Sequence, residues 1–197
     1  MGNRAKKRRT INQDARLKQH LKEKCSIQGV RRFFNEIALK HPDRSQIVFV
    51  CIGTDRSTGD SFGPWIGTML REQGWLNVIG TLQSPCDSTR YEAEVWDIPS
   101  SLTVVAIDAC LGKIDEEDCY LVSGGPLYPA RAVGKRLPPI GDFSLEGIVG
   151  PLSAKPYWSL QSASLYEVMG MSRAVADAAH AAWPAFGVNE DRVMERA

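Results

Sequence analysis

Two short segments of this 197-residue chain place aspartates among glycines, beside apolar runs. The segment over residues 51–64 reads C-I-G-T-D-R-S-T-G-D-S-F-G-P and contains Asp55 and Asp60. The segment over residues 106–112 reads A-I-D-A-C-L-G and contains Asp108, at the end of an apolar run. Two carboxyl groups within a few Å cannot both ionise easily, so one proton is shared near neutral pH. Such a pair can deprotonate a water molecule while it protonates a scissile amide.

Each aspartate also has a structural interpretation. Asp60 precedes Pro64, where we expect a helix to begin, and its side chain could simply cap that helix. Asp108 could be a structural acid that accepts hydrogen bonds from loop amides. A phosphate cradle is a further alternative for the glycine-containing loop, but Asp55 and Asp60 would repel an anion and the Gly-Lys-Ser/Thr signature is missing. Neither aspartate alone decides between a structural and a catalytic role. The presence of both at one sheet edge favours the catalytic role.

Other residues near the two aspartates are candidates for substrate binding. Gly53 and Gly63 would let the backbone approach a substrate closely. Arg56 and Arg136 could each bind a carboxylate of the substrate, or be plain surface charges. The residues that we assign to substrate binding are Gly53, Thr54, Asp55, Arg56 and Arg136.

The cysteines and histidines limit the remaining chemistry. The five cysteines are odd in number and form no C-x-x-C pair, which favours reduced thiols in a cytoplasmic protein. Cys110 lies two residues after Asp108 and would share its strand face. A thiol nucleophile there lacks a nearby histidine to activate it. Histidine occurs only at positions 20, 41 and 180, so a histidine-based zinc site is poorly supported.

Alternating strands and helices must position these residues. Continuous apolar runs over residues 47–52 and 102–107 are typical of strands covered on both faces in a parallel sheet, and the second run ends on Asp108. We also predict strands over 76–82, 119–122 and 143–149, and helices over 64–74, 88–96 and 165–183. This alternation predicts an α/β fold, a three-layer α/β/α sandwich with a mostly parallel sheet. Binding sites of such sheets form beyond the carboxyl ends of the strands, where both aspartates would lie.

The charge is distributed unevenly along the chain. Residues 1–45 carry a net charge of +9, and residues 46–197 carry −8. We therefore predict a basic N-terminal extension over 1–45, an α/β domain over 46–186 and a C-terminal tail over 187–197. Within the extension we expect a disordered tip and then two short helices over 14–40, with Gly29 as the break between them. The extension could contact nucleic acid, although we favour a helix docked on the acidic body.

Both aspartate segments resemble the YyaC sporulation proteins, whose members show C-I-G-T-D-R-S-T-G-D-S-x-G-P and A-I-D-A-C-L-G. Further matching stretches lie at 125–127, 133–142 and 147–149, so the resemblance covers roughly residues 46–183. The sequence is also distantly similar to the germination protease, which has T-P-D-A-L-G-P at 58–64 and I-D-A at 107–109. A more distant relative is the hydrogenase maturation endopeptidase.

The resemblance implies roles for particular residues. In the germination protease, the aspartates at the positions of Asp60 and Asp108 are the proposed catalytic pair of an unusual aspartic peptidase. In the maturation endopeptidase, carboxylates at these positions bind nickel together with a histidine. No histidine of this chain lies where that ligand would fall, so we expect no metal or cofactor; any metal would be held by Asp60 and Asp108. Residues 84–88 read S-P-C-D-S where the family commonly has a histidine-containing segment.

These observations lead to three hypotheses. The first is a sporulation-associated, aspartic-type peptidase with the fold of the germination and hydrogenase maturation proteases. The second is a non-catalytic sporulation protein that uses the same fold as a binding module. The third is a metal-assisted maturation endopeptidase. We expect a cytoplasmic protein of a spore-forming cell, a protein or peptide substrate such as small basic spore proteins, and no association with membranes.

Overall fold

The computed structural model describes residues 21–113, 119–129 and 137–184. The strands are β1 (Glu23–Cys25), β2 (Ile47–Cys51), β3 (Val78–Ile79), β4 (Thr103–Gly112), β5 (Tyr120–Ser123) and β6 (Phe143–Pro151). The helices are α1 (Ile27–Lys40), α2 (Phe62–Glu72), α3 (Tyr91–Trp96), α4 (Pro156–Gln161) and α5 (Leu165–Ala182). Short 3-10 turns occupy Arg44–Gln46 and Gly59–Ser61. The predicted tail over 187–197 and the predicted disordered tip lie outside the described residues.

All six strands form one sheet, in the order β1-β5-β6-β4-β2-β3. The neighbours among β6, β4, β2 and β3 are parallel, whereas β5 and β1 join the sheet antiparallel. Every residue of β2 is buried, because the centre of a parallel sheet is covered on both faces. The predicted α/β fold with a mostly parallel sheet is confirmed.

Helices cover the two faces of the sheet unequally. Helices α1, α2 and α5 pack on one face, where their buried side chains join those of Phe49, Val105 and Leu145 in one core. The opposite face carries a smaller core, in which Tyr91 of α3 packs with Val104 and with neighbouring strand residues. The result is a three-layer sandwich whose second helical layer is thin.

The order of strands reverses next to β2, which lies between β3 and β4. The β2–β4 pairing ends with Cys51 opposite Ile107. Strand β4 continues to Gly112 because β6 goes on pairing with it, with one shift of register after Cys110. Our prediction that this strand ends on Asp108 was therefore wrong by four residues. Asp108 lies one position beyond the last pair with β2, where the chain of β2 leaves the sheet. The divergence of the chain after β2 from β4 leaves a crevice at the carboxyl ends of these strands, which is the usual place for a binding site in an open α/β sheet.

The described part of the basic N-terminal region belongs to the same domain as the sheet. Strand β1 pairs with β5, and α1 packs against α5. The predicted break at Gly29 was wrong, because Gly29 lies inside the continuous helix α1. A Cβ atom at this position would lie 2.4 Å from that of Cys25, so glycine allows α1 to begin close against β1. Residue 45 is accordingly not a structural boundary.

Other predicted elements differ mainly in length. The strand predicted over 76–82 is reduced to β3, which pairs with β2 over only two residues. Helix α3 begins later than predicted, since the carboxylate of Asp87 accepts hydrogen bonds from the backbone N–H groups of Thr89 and Arg90, at 2.8 and 3.2 Å. Helix α4, which begins with Pro156 in its first turn, was not predicted.

Candidate active site

A cleft of about 750 Å³ opens where β2 and β4 separate. Its walls come from the loop after β2, the second half of β4, β6, the turn before α3 and helix α4. The charged side chains that line the cleft are those of Lys22, Arg56, Asp60, Asp87, Asp108 and Glu146. Apolar side chains, among them Leu121, Leu152 and Tyr157, supply much of the remaining wall. A cleft of this size and mixed lining is typical of ligand-binding sites.

Asp60 reaches this cleft from the 3-10 turn that leads into α2. Burial raises the pKa of its carboxyl group, and the nearby hydroxyl of Ser57 acts in the opposite direction. Asp60 does not hold the N-cap position of α2, which belongs to Ser61, and that residue makes no capping hydrogen bond. Asp60 instead lines the cleft.

Asp108 reaches the cleft from β4, on the face of the sheet opposite α1, α2 and α5. Burial is the main reason why the pKa of its carboxyl group is raised well above the usual range, and the charge of Glu146 adds to this. The backbone N–H of Ala109 donates a 2.8 Å hydrogen bond to Oδ1 and opposes the shift. The charge of Asp60 also raises the pKa of Asp108. Asp108 therefore keeps its proton to a higher pH than an ordinary aspartate.

Glu146 is a site residue that sequence reasoning missed. It lies directly opposite Asp108 in the parallel pairing of β4 and β6. Residues paired in this way project to the same face of the sheet, so the two carboxyl groups are neighbours. The side chain of Glu146 is only 13% exposed and forms an ion pair with the ammonium group of Lys22. The one charged residue inside the strand predicted over 143–149 was the available signal.

The predicted substrate-binding residues are only partly brought together. Gly53, Thr54 and Arg56 line the cleft, and Nη2 of Arg56 lies 2.9 Å from Oδ2 of Asp87 at its rim. Asp55 is exposed and does not line the cleft. Arg136 lies outside the described residues.

The two glycines of the first segment serve the fold of the loop itself. Gly53 has a φ of +143°, and a Cβ atom there would lie 2.0 Å from the backbone oxygen of Asp60. A Cβ atom on Gly63 would lie 2.2 Å from the backbone oxygen of Ile52. Gly63 therefore allows α2 to pack on the end of β2, which differs from the approach to a substrate that we predicted. Gly53 holds the turn that places Asp60 against the strand ends.

Cys110 follows Asp108 on the same face of β4 and also lines the cleft. Burial, with a contribution from the charge of Glu146, raises the pKa of its thiol to about 12. A thiol of this kind is protonated at neutral pH and is a poor nucleophile. The five cysteines all lie within the described residues, and no two of them form a disulfide.

A metal centre is not supported by the donor groups of the cleft. In the described parts of the chain, no three His, Cys, Asp or Glu side chains are arranged to hold a metal ion. His41 is engaged away from the cleft, with Nδ1 lying 3.1 Å from the Thr103 hydroxyl, and His180 lies near the end of α5. The carboxyl groups that face the cleft would also repel a phosphate, which argues against the phosphate-cradle alternative.

Fold and cleft together define an α/β sandwich protein with acidic side chains at the topological switch point of its sheet. The chain belongs to a family described as "Protein of unknown function (DUF1256)", whose profile matches residues 18–178. A similar protein is the "Uncharacterized protein YyaC" of Bacillus subtilis (strain 168), which is 39% identical over 136 residues. The match covers 66% of this chain and 66% of that protein, just under two thirds of the relative's length. The predicted resemblance to the YyaC family is confirmed.

The chain is also similar to a solved structure. It is the crystal structure of a NiFe hydrogenase maturation protease, HycI, from Thermococcus kodakarensis KOD1, with a TM-score of 0.42 and 18% sequence identity. The similarity covers 68% of this chain and 92% of that chain.

Within the described residues, no helix is both long and apolar enough to cross a membrane.

Proposed function

We propose that this protein is a peptidase-like hydrolase that cleaves a protein or peptide with Asp60 and Asp108. The observation that carries the proposal is that Asp60 and Asp108 line one cleft, where the charge of Asp60 raises the pKa of Asp108. When two carboxyl groups in one site have different pKa values, the group with the higher pKa can act as the acid and the other as the base. The resemblance of both segments to the germination protease supports the same pair.

Asp108, whose pKa is raised further, is the general acid, and Asp60 is the general base. The carboxylate of Asp60 removes a proton from a water molecule, and the oxygen of that water attacks the carbonyl carbon of the scissile amide. The tetrahedral intermediate collapses, the C–N bond breaks, and the nitrogen takes the proton of Asp108. The products are a carboxylic acid and an amine. Asp60 is then protonated and Asp108 ionised, and proton exchange through solvent resets the pair.

The setting that we propose is the cytoplasm of a spore-forming cell during sporulation, since the motifs resemble those of sporulation proteins. Small basic spore proteins are the substrate class we propose to examine first, because acidic side chains outnumber basic ones around the cleft. Nucleic acid is a less favoured partner, because any contact would have to use the basic N-terminal region rather than this cleft.

A cleavage assay tests the proposal. The full-length protein is incubated with small basic spore proteins and with denatured casein over a broad pH range, with and without a chelator. Mass spectrometry should detect new peptide termini that are absent with Asp108→Asn and that persist in the chelator. If wild type and variant are equally inert at every pH, with and without added divalent metal, the hydrolase proposal fails and the binding-module hypothesis takes its place.

A further inference from the structure

Glu146 holds a cation inside the cleft, and that cation comes from a distant part of the chain. Lys22 precedes β1, which is separated from β6 by β5 in the sheet. Its side chain reaches across to Glu146 and forms an ion pair there. Both residues line the cleft, so the ammonium group lies within the space that a substrate would enter.

The two partners of this ion pair differ in how firmly they are held. Glu146 is fixed in the middle of β6, and its side chain is 13% exposed. Lys22 lies outside any regular element, and its side chain is 36% exposed. Since a shielded carboxylate is costly without a partner, Glu146 requires a cation. An exposed lysine on a flexible stem is a weakly held partner that another cation can displace.

We propose that Glu146 forms a subsite for a basic side chain of the substrate, and that Lys22 fills this subsite when no substrate is bound. Apolar wall residues beside the carboxylate, among them Leu121, would pack against the aliphatic stem of an incoming lysine or arginine. Arginine is the better occupant, because its guanidinium group donates two parallel hydrogen bonds to one carboxylate.

The position of Glu146 beside Asp108 makes this subsite a determinant of specificity. A basic side chain bound by Glu146 would lie next to the general acid, which places the basic residue close to the scissile bond. The inference rests on the proposed function for this last step only. Binding at the subsite can be measured without any cleavage.

The experiment uses full-length protein with Asp60→Asn as the background, so that a bound peptide stays intact. The probes are the peptide acetyl-Ala-Ala-Arg-Ala-Ala-amide and a matched peptide with norleucine in place of arginine, which keeps the stem and removes the charge. Affinities are measured by NMR titration. Adding Glu146→Gln should weaken binding of the arginine peptide roughly tenfold and leave the norleucine peptide unchanged, which also shows that the variant is folded.

Removal of the internal competitor should have the opposite effect. Adding Lys22→Met should tighten binding of the arginine peptide by about two- to fivefold, as expected when a partly exposed ion pair no longer has to be broken. Lys24→Met is the matched control, because Lys24 lies two residues further along and its Nζ lies 3.3 Å from the backbone oxygen of Lys113. Lys24→Met should leave the affinity unchanged.

Two results would overturn the subsite. One is an arginine preference that survives Glu146→Gln, and the other is an arginine affinity that Lys22→Met leaves unchanged or lowers. These outcomes are separate from a failure of the hydrolase proposal. A protein that binds the arginine peptide through Glu146 but cleaves nothing would retain the subsite and lose the reaction.

Discussion

Asp108 and Glu146 occupy paired positions on neighbouring parallel strands, so two carboxyl groups lie side by side on one face of the sheet. Glu146 contributes more to the raised pKa of Asp108 than Asp60 does. Lys22, which pairs with Glu146, acts in the opposite direction. The protonation of the proposed general acid is thus adjusted by two residues outside the predicted pair.

This arrangement predicts opposite shifts from two single variants. Glu146→Gln removes a negative charge beside Asp108 and should lower the pKa of that carboxyl group. Lys22→Met removes a positive charge and should raise it. The measurement is an NMR titration of protein with labelled aspartate carboxyl carbons. Shifts of the two variants in the same direction, or no shift in either, would contradict this electrostatic account.

Stability should depend on pH through Asp108. The folded protein raises the pKa of this group above its ordinary value of 3.8, so the folded state binds more protons than the unfolded state above that pH. The free energy of unfolding is therefore lowered as pH rises through this window, by up to about 1.4 kcal/mol per pH unit for one group.

Asp108→Asn removes this penalty. The variant should gain stability relative to wild type as the pH rises from 4 to 8, and the difference should be smallest at the acidic end. Asp60→Asn should show the same sign, since burial also raises the pKa of Asp60. Urea denaturation at a series of pH values measures both effects. A stability difference that shrinks with rising pH would show that Asp108 is stabilised in its ionised form.

The turn at Gly53 should be sensitive to a single methyl group. Gly53→Ala adds a Cβ atom 2.0 Å from the backbone oxygen of Asp60, at a φ of +143°. We expect a loss of about 2–3 kcal/mol in the free energy of unfolding, together with loss of activity. Gly74→Ala is the control, because its φ of +78° is also positive but its Cβ atom would meet nothing within 4 Å. It should cost only about 1 kcal/mol in urea denaturation. Equal costs at the two positions would contradict the close approach.

The reactivity of Cys110 and the activity of its alanine variant test whether cleavage uses a thiol nucleophile. Since the pKa of this thiol is raised to about 12, it should react slowly with iodoacetamide at pH 7.5. Cys110→Ala should keep at least about half of the wild-type rate of peptide cleavage, because neither proton transfer involves sulfur. A loss of activity as large as that of Asp108→Asn would instead indicate a thiol nucleophile.

The sequence could predict Asp60 and Asp108 because each follows or ends an apolar run. In a parallel sheet, the carboxyl ends of such runs meet at one edge whatever the details of pairing. Glu146 could not be found in the same way. Its position beside Asp108 depends on the register of β4 with β6, which a single sequence does not reveal.

The position of Lys22 beside Glu146 could not be predicted from the sequence either, for a different reason. The apolar residues after position 14 have a weak helical period, which concealed the three-residue strand β1. An edge strand this short takes its conformation from the partner it pairs with, here β5, rather than from its own residues. The charge of the N-terminal region then suggested an extension, whereas β1 and α1 are packed into the domain.

In the proposed reaction, Asp60 and Asp108 carry out hydrolysis together. The most direct test of this joint action is kcat/KM for one peptide substrate, measured with wild type, Asp60→Asn and Asp108→Asn. The control is Asp55→Asn, because the side chain of Asp55 is exposed and lies outside the cleft lining. Each of the first two variants should lower kcat/KM by about 100-fold or more, and Asp55→Asn should stay within about threefold of wild type. Full activity in either Asp60→Asn or Asp108→Asn would contradict the account.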